Sequence, residues 1–361
     1  MSVELSTRRR DGADVCAGAD RAGRGVTTVT DVAREAGVSV AVVSRVLNGD
    51  QELRVRDATR ARVHAAAERL RYTPNTSARA LRLASAGAIC LVVKDLANPI
   101  HAAVLAGAQA SAEQSGRATL LADADELSLH PERLRGMLDS RRVDGLVMHL
   151  PGIRGDATLR KIAQERVPTV VINSRVRPPA GSVILDDAAA SLLATSHLIE
   201  LGHRKIGVVT ALAASDRSQR RRRGVEHALA AHGLSLDPAW VLEAGFDVAA
   251  GHAAGRRLLA LEPRPTAVVV LNVMAAIGVL AACREDAVAV PQELSVVGLI
   301  DTWVCDHSAP PLTVVDMPIR ELGARAVALL TEMIDGGPPR SLLISKPAPR
   351  LVVRSSTAAP H

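Results

Sequence analysis

The stretch TVTDVAREAGVSVAVVSRVLN, residues 28 to 48, predicts two short helices joined by a tight turn. Thr28, with Asp31 three positions later, forms an N-cap signature for the first helix. Gly37 supplies the positive φ that the turn needs, and Ser39 caps the second helix. The apolar positions that would pack the helices together are Val29, Val32, Ala33, Ala36, Val42, Val43 and Val46. The pattern is typical of a helix-turn-helix, although an ordinary helical hairpin would share it.

The second helix of the pair keeps one face free of core residues. Val40, Ala41, Ser44, Arg45 and Asn48 would lie on that face. Small residues allow close approach to a base-pair edge, and an arginine donates hydrogen bonds to guanine. The mixture therefore predicts a helix that enters a DNA major groove.

A third amphipathic segment follows and leads into a distinctive run. The segment carries Thr59, Arg60, Val63, Ala66, Ala67 and Leu70, and YTPNTSARALR then occupies residues 72 to 82. In this order the sequence resembles the headpiece and hinge helix of the LacI/GalR (lactose-repressor) family of bacterial transcription regulators. The resemblance continues through LATSHLIELGHRKIGVV, PQELSVVGLIDT and PPLTVVDMPIRELGARAVALL, from about residue 27 to residue 355.

Composition limits the kind of nucleic acid that the chain could bind. The 361 residues suggest two or three domains, and the hydrophobic content of 48% is enough for a sizeable core. The aromatic residues are Tyr72, Trp240, Phe246 and Trp303, too few for stacking on single strands. The cysteines, which show no metal-ligand spacing and are expected to be structural thiols, are Cys16, Cys90, Cys283 and Cys305.

Positive charge is concentrated in the N-terminal part. Residues 26 to 85 hold ten arginines against six acidic residues, so +4 of the net charge of +6 lies there. A basic face predicts salt-sensitive binding to duplex DNA. No apolar run is long enough for a membrane span, and Arg8 to Arg10 are followed by Asp11 instead of an apolar segment. We expect a cytoplasmic protein in which residues 1–25 are a disordered extension or a misassigned start.

From Ala88 onward, short β-rich runs alternate with helical segments, which predicts an α/β core of doubly wound parallel sheets. Strands are expected at 89–93, 119–121, 145–149, 169–172, 182–185, 205–209, 267–271 and 294–299. The resemblance implies a helix-turn-helix headpiece followed by a two-subdomain core like a type I periplasmic binding protein. The cleft between the subdomains is the expected effector site, because open α/β sheets bind ligands beyond the carboxyl ends of their strands.

The expected organisation is a headpiece at residues 26–73, a hinge helix and linker at 74–85, a core at 86–355 and a tail at 356–361. Within the core, the N-subdomain is expected at 86–180 and 313–338, and the C-subdomain at 181–312 and 339–355. The chain would then cross between subdomains near residues 179–183, 310–314 and 337–342.

The resemblance implies roles for single residues in DNA binding. Arg45 would donate to a guanine edge, and Val40 and Ala41 would contact thymine methyl groups. In the hinge, a short helix would fold on operator DNA, and two copies of Leu81 would wedge into the minor groove. Because one headpiece reads few base pairs, a homodimer on a pseudo-palindromic operator is expected. The expected DNA contacts are Thr28, Ser39, Val40, Ala41, Ser44, Arg45, Asn48, Tyr72, Asn75, Arg79 and Leu81.

The expected effector site departs from the family pattern in one direction. Ile100 and His101 stand where the family usually has two stacking aromatics, and carboxylates are replaced at Asn173, Val273 and Ile300. Arg221 remains at the position of the effector-binding arginine, while Arg217, Arg220, Arg222 and Arg223 are expected mostly to face solvent. Because carboxylates are lost, we expect an anionic or partly apolar effector instead of a neutral sugar. The expected contacts are Asn98, Ile100, His101, Asn173, Arg221, Phe246, Asn272, Ile300 and Asp301.

Other functions stay open at this point. The protein could repress without a ligand if the pocket has decayed, and its effect on transcription could be activation. A transport-type solute-binding protein would share the core, but the headpiece and the missing signal peptide count against it. An enzyme would draw on His101, His149, His197, His203 and His252, but the sequence has no nucleophile elbow, phosphate loop, dinucleotide fingerprint or metal-spaced histidine pair. We expect no cofactor and no metal ion.

Overall fold

The computed structural model describes residues 27–47, 50, 53–72, 85–150 and 156–360. They belong to two compact units, Met1–Thr76 and Ser77–His361. Several expected features lie outside the described residues: the N-terminal extension, the hinge helix, and the DNA contacts Asn48, Asn75, Arg79 and Leu81.

The first unit contains the two helices predicted from residues 28 to 48 and the third amphipathic segment. They are α1 (Val29–Ala36), α2 (Val40–Leu47) and α3 (Asp57–Arg69). At the start of α1, the Thr28 hydroxyl accepts from the Asp31 N–H while the Asp31 carboxylate accepts from the Thr28 N–H, a complete capping box. Gly37 ends α1 at φ 64°, and the Ser39 hydroxyl accepts the Val42 N–H at 3.3 Å. The predicted caps and turn are confirmed.

A small apolar core holds the three helices together. Its fully buried members are Val32, Ala33, Ala36, Val43, Val46, Val63, Ala66 and Ala67. All three helices contribute, at the helical spacing expected for one buried stripe. The fully buried members are valine and alanine, and larger side chains such as Leu47, Leu70 and Tyr72 pack around them and are partly buried.

The second unit is an α/β structure. Its strands are β1 (Ala88–Val93), β2 (Ala118–Asp123), β3 (Gly145–Met148), β4 (Thr169–Ile172), β5 (Gly181–Leu185), β6 (Ile206–Thr210), β7 (Val241–Glu243), β8 (Ala267–Val270), β9 (Ser295–Leu299), β10 (Thr313–Asp316), β11 (Ser341–Ile344) and β12 (Arg350–Val352). Its helices are α4 (Pro99–Gln114), α5 (Ala124–Leu129), α6 (Pro131–Asp139), α7 (Asp156–Gln164), α8 (Asp187–Glu200), α9 (Asp216–Ala231), α10 (Val248–Leu259), α11 (Val273–Glu285), α12 (Trp303–Asp306) and α13 (Ile319–Ile334).

The strands form two sheets, one for each subdomain. The N-subdomain sheet has the order β11-β5-β4-β3-β1-β2 and is parallel throughout. The C-subdomain sheet has the order β12-β10-β9-β8-β6-β7, with only the terminal pair β10 and β12 antiparallel. Strands β1, β3, β4, β5, β6, β8 and β9 are buried along their whole length, as parallel strands covered on both faces must be. The predicted doubly wound architecture and eight strands are confirmed, and β7, β10, β11 and β12 are additional.

The crossings between subdomains occur later along the chain than expected. β5 pairs with β4 in the N-subdomain, so the first crossing lies between β5 and α8 and not at residues 179–183. β10 pairs with β9 in the C-subdomain, so the second lies between β10 and α13 and not at 310–314. The third lies between β11 and β12 and not at 337–342. The proline and glycine signals mark the loop before each strand, whereas the chain leaves a subdomain only after the strand is complete.

One glycine sets the separation of α8 and α9, the helices that carry the charged residues of the cleft. A Cβ atom at Gly224 of α9 would lie 2.1 Å from the carbonyl oxygen of Ala188 in α8. No side chain fits at that distance, so glycine allows the two backbones to touch. This contact brings the first turn of α8 next to the arginines of α9.

The described cysteines lie in the packed interior of the second unit. Cys90, Cys283 and Cys305 are buried free thiols. Burial raises the pKa of Cys90 to about 12 and that of Cys283 to about 11, so both stay protonated and unreactive. Within the described residues, every helix is too short or too polar to span a membrane.

Candidate functional site

The exposed face of α2 carries the residues predicted for the major groove. Val40 is 41% exposed, Ala41 is exposed, and Ser44 is partly buried. The opposite face of the helix buries Val43 and Val46 in the headpiece core. α2 is therefore fixed along one side and open along the side that holds the small residues.

Arg45 is held by an acidic partner that the sequence reasoning missed. Its Nε donates to the Asp50 carboxylate at 2.7 Å, and the Arg45 side chain remains 47% exposed. The ion pair orients a long side chain that remains partly exposed. A spacing of five residues, from a helix to a residue beyond its end, carries no recognised signal, which explains why the pair was not predicted.

The other described DNA-contact candidates lie at helix starts or in the headpiece core. Thr28 and Ser39 are exposed N-cap residues of α1 and α2. Tyr72 is half-buried, packs against the apolar core of the headpiece, and donates its N–H to the Ala67 carbonyl at 2.8 Å. A role in packing is thus evident for Tyr72.

The cleft of the second unit is lined by residues that follow the carboxyl ends of strands in both sheets. His149 follows β3, Asn173 follows β4, Asp187 follows β5, and Asn272 follows β8. The arginines of α9 come from the helix that follows β6. The convergence of these positions is the arrangement expected for a ligand site in parallel α/β sheets.

Three of the α9 arginines are buried, and the expectation that only Arg221 faces the site was wrong. Arg217, Arg220 and Arg221 are exposed by 9%, 6% and 3%, whereas Arg222 and Arg223 are on the surface. The reason is the helical period, because positions three and four apart share one face of a helix.

Arg220 and Arg221 share a single buried carboxylate. Asp187, which is fully buried, accepts from Arg220 Nη2 at 2.6 Å and from Arg221 Nε at 2.7 Å. Arg220 also contacts Asp216 and donates to the Asn173 carbonyl at 3.2 Å, and Arg221 donates to the Leu271 carbonyl. Both guanidinium groups are thus bound by protein oxygens.

Arg217 has a different environment. Its guanidinium carbon lies 5.1 Å from the centre of the Phe246 ring, in a cation–π contact. Its Nη1 lies 3.3 Å from Nε2 of His149. In the part of the chain that the structure describes, no carboxylate forms an ion pair with Arg217. Burial, and then the positive charge of Arg221, lower the pKa of Arg217 to about 9.

A chain of hydrogen bonds runs from Arg217 across the cleft into the N-subdomain. His149 Nδ1 lies 2.9 Å from His101 Nε2, and His101 Nδ1 lies 3.0 Å from the Asp95 carbonyl oxygen. Because the carbonyl accepts, His101 Nδ1 carries the proton and its Nε2 must accept from His149 Nδ1. His149 Nε2 then accepts from Arg217, so each imidazole is neutral.

Burial reinforces the neutral state of both imidazoles. It lowers the pKa of His101, and together with the charge on Arg217 it lowers the pKa of His149 well below its ordinary value. The two rings contact edge to face, with centroids 5.0 Å apart. His149 and Arg217 were not among the expected effector contacts, and their separation of 68 residues leaves no local signal.

Several expected effector contacts have structural partners. The Asn98 side-chain oxygen caps α4 by accepting the Ile100 N–H at 3.1 Å, and that of Asn272 caps α11. Asp301 is bound at 2.9 and 3.0 Å by Arg354, whose Nε also pairs with Asp306. These three polar groups therefore stabilise the walls of the cleft.

Two expected contacts adopt unusual backbone conformations. Asn173 has φ 62° and Ile300 has φ 78°, and both are buried. A β-branched residue in the left-handed region costs about 1–3 kcal/mol and is typical of functional sites. The N–H of Ile300 donates to Val315 at 2.8 Å, which holds the conformation.

The apolar residues of the site differ in how they are covered. Ile100 packs against the apolar clusters of both subdomains, and Phe246 is partly exposed beneath Arg217. In the described ranges no group of three or more His, Cys, Asp or Glu side chains is placed to hold a metal ion.

Comparison with known proteins finds a matching family for each unit. Residues 28–75 match the sequence family "Bacterial regulatory proteins, lacI family", and residues 195–357 match the "Periplasmic binding protein-like domain". The HTH-type transcriptional regulator DegA of Bacillus subtilis (strain 168) is 31% identical over 337 residues, which cover 92% of this chain and 98% of DegA.

Solved structures of LacI-family regulators are also similar to this chain. A LacI family transcriptional regulator from Mycobacterium smegmatis is 37% identical with a TM-score of 0.70, over 76% of this chain and 100% of that one. The lac repressor dimer bound to operator and the anti-inducer ONPF is 28% identical with a TM-score of 0.74, over 93% of this chain and 100% of that one.

Proposed function

The chain belongs to the LacI family of bacterial regulatory proteins, and on that basis we propose that it is a cytoplasmic repressor that binds a palindromic operator as a homodimer. A small molecule in the cleft modulates the affinity for DNA. The observation that carries the DNA-binding role is α2, which buries Val43 and Val46 and exposes Val40, Ala41 and Arg45. An exposed helix face with small residues and one oriented arginine suits a major groove.

Each headpiece reads the operator with few residues. Arg45 donates to a guanine edge, Val40 and Ala41 contact thymine methyl groups, and Thr28 and Ser39 hold phosphates at the helix starts. By resemblance to the family, the hinge residues Asn75, Arg79 and Leu81 also contact the operator, and Leu81 wedges into the minor groove.

Operator binding requires a second copy of the chain. Support comes from the similar lac repressor structure, which is a dimer bound to operator. The N-subdomain sheet ends at β2, whose Leu120 and Leu121 are 41% and 47% exposed. We assign this edge to the dimer interface, because apolar edge strands otherwise promote unspecific association. Sedimentation should find a dimer for the natural chain and a monomer with weak operator binding for Leu121→Glu.

We favour control of DNA binding by a ligand over repression without a ligand. The buried cluster of α9 contains charged groups that a decayed pocket would not need, since burying charge is costly. The relatives are transcription regulators, and no catalytic role is proposed.

Transcript profiling of a strain that lacks the gene tests the repressor role. Repression predicts that a small set of transcripts rises on deletion and falls again when the natural gene is restored. Arg45→Ala should fail to restore repression, whereas Arg133→Ala should succeed, because Arg133 is an exposed arginine of the core on α6. A fall of the same transcripts on deletion would indicate an activator, and an unchanged profile would contradict regulation.

A further inference from the structure

The buried charges on the arginine face of α9 do not balance. Arg217, Arg220 and Arg221 carry three positive charges, and the carboxylates that pair with them are Asp187 and the partly exposed Asp216. Residues 151–155 of the sequence contain no acidic residue. One positive charge therefore remains without a carboxylate from the described residues, and the geometry assigns it to Arg217.

The partners of Arg217 leave its hydrogen-bonding fork largely unused. Among the described residues, its one hydrogen bond is from Nη1 to the neutral imidazole of His149. The Phe246 ring lies beneath the guanidinium carbon and provides no oxygen or nitrogen acceptor. A neutral nitrogen is a weaker partner for a guanidinium than an oxyanion, which it binds through two parallel N–H donors.

An acceptor without a partner lies on the same side of α9. The side-chain oxygen of Asn173 is buried and has no hydrogen-bond donor among the residues that the structure describes. The Asn173 carbonyl is held by Arg220, one turn along the helix from Arg217. A buried acceptor without a donor costs free energy, which a ligand hydroxyl or ammonium group would recover.

We propose that the cleft binds a small molecule that has an oxyanion, a carboxylate or a phosphate, on Arg217 and a hydrogen-bond donor on Asn173. This proposal rests on the proposed function, because it names the chemical class of the effector. The oxyanion takes the place of His149 on the guanidinium fork, and Phe246 keeps its cation–π contact with Arg217. Arg220 and Arg221 position the site through Asp187 and do not bind the ligand directly.

The same contacts disfavour a neutral sugar. Sugar hydroxyl groups need acceptors, yet the Asp301 carboxylate is bound by Arg354, and the side-chain oxygens of Asn98 and Asn272 cap helices. Among these side-chain oxygens, that of Asn173 remains without a partner in the described residues. A sugar without a charged group would satisfy it but would leave Arg217 without an anionic partner.

Calorimetry on the full chain tests the ligand class. The probes are inorganic phosphate, glycerate, glucose 6-phosphate and glucose, so that carboxylate and phosphate sources are separated and glucose serves as the neutral match. We expect one of the anions to bind and glucose not to bind. Arg217→Gln should lower the affinity for that anion by about tenfold or more. Arg223→Gln, which changes an exposed arginine of the same helix, should leave the affinity unchanged.

A melting temperature and a second variant separate an effect on ligand binding from an effect on folding. Arg217→Gln removes a buried charge that lacks a carboxylate, so its melting temperature without ligand should not fall. Asn173→Asp adds a negative charge beside Arg220 and should also lower the affinity for the anion. The proposal is overturned if glucose binds as tightly as the best anion, if no anion binds, or if Arg217→Gln keeps the natural affinity. Operator titration of each variant without ligand reports on the proposed function separately, because neither substitution touches the headpiece.

Discussion

Replacement of Asp187 by asparagine should destabilise the core far more than loss of an ordinary ion pair. The carboxylate is fully buried and accepts hydrogen bonds from Arg220 at 2.6 Å and Arg221 at 2.7 Å. Asparagine keeps the shape, but it leaves the arginines without their shared buried charge and points an amide donor at one of them. Removing one partner from a buried ion pair costs about 3–5 kcal/mol.

The cost converts into a measurable change in melting temperature. For a unit of this size, 1 kcal/mol corresponds to about 2–4 °C, so calorimetry should find the core transition lowered by roughly 6–20 °C. Glu226→Gln is the matched control, because it breaks the Arg222–Glu226 pair of 2.7 Å on the exposed side of the same helix. Surface pairs contribute about 0–1 kcal/mol. If Asp187→Asn lowers the melting temperature no more than Glu226→Gln does, the network does not stabilise the cleft as described.

Three further predictions concern packing, pH and DNA reading. Gly224→Ala should lower the melting temperature of the core, because its Cβ would lie 2.1 Å from a carbonyl of α8 and overpacking costs about 1–3 kcal/mol; an unchanged melting temperature would show that the helices separate freely. Because burial lowers the folded-state pKa values of His101 and His149, stability should be complete above pH 6.5 and should decrease as the pH falls below it, when the unfolded chain takes up protons first. Thermal melts between pH 8 and 5 should show a smaller decrease for His149→Gln, and an identical slope would contradict the neutral pair. Arg45→Ala should weaken operator binding by about 1–3 kcal/mol and relax the preference at one base pair per half-site; fluorescence anisotropy with altered operators checks this, and an equal loss on all sequences would make Arg45 a phosphate contact.

Local signals explain why the headpiece could be predicted almost completely. The cap at Thr28, the turn at Gly37 and the valine–alanine stripe each act within a few residues, so periodicity and turn chemistry determine them. The strands that are buried along their whole length were equally visible as apolar runs, whereas β10, which is mostly buried, was not predicted. β7 and β12 have three residues each at sheet edges, and β11 is mostly exposed, so no apolar run marks them.

The cleft was harder to predict because its contacts are long-range. A run of arginines suggests a solvated surface, and only the helical period separates buried Arg217 and Arg220 from exposed Arg222. Which carboxylate serves which arginine depends on the contact of α8 with α9 through Gly224. The His149–Arg217 contact joins different subdomains and depends on tertiary structure alone.

Selection of bound sequences from random duplex DNA by the full chain, at a salt concentration of about 0.15 M, tests the central claim that a pair of headpieces reads an operator. The account predicts a two-fold symmetric motif of roughly one to two helical turns with a central C-G step, and a relaxed preference at one base pair per half-site for Arg45→Ala. An asymmetric motif, or recovery of no motif at all, would contradict it.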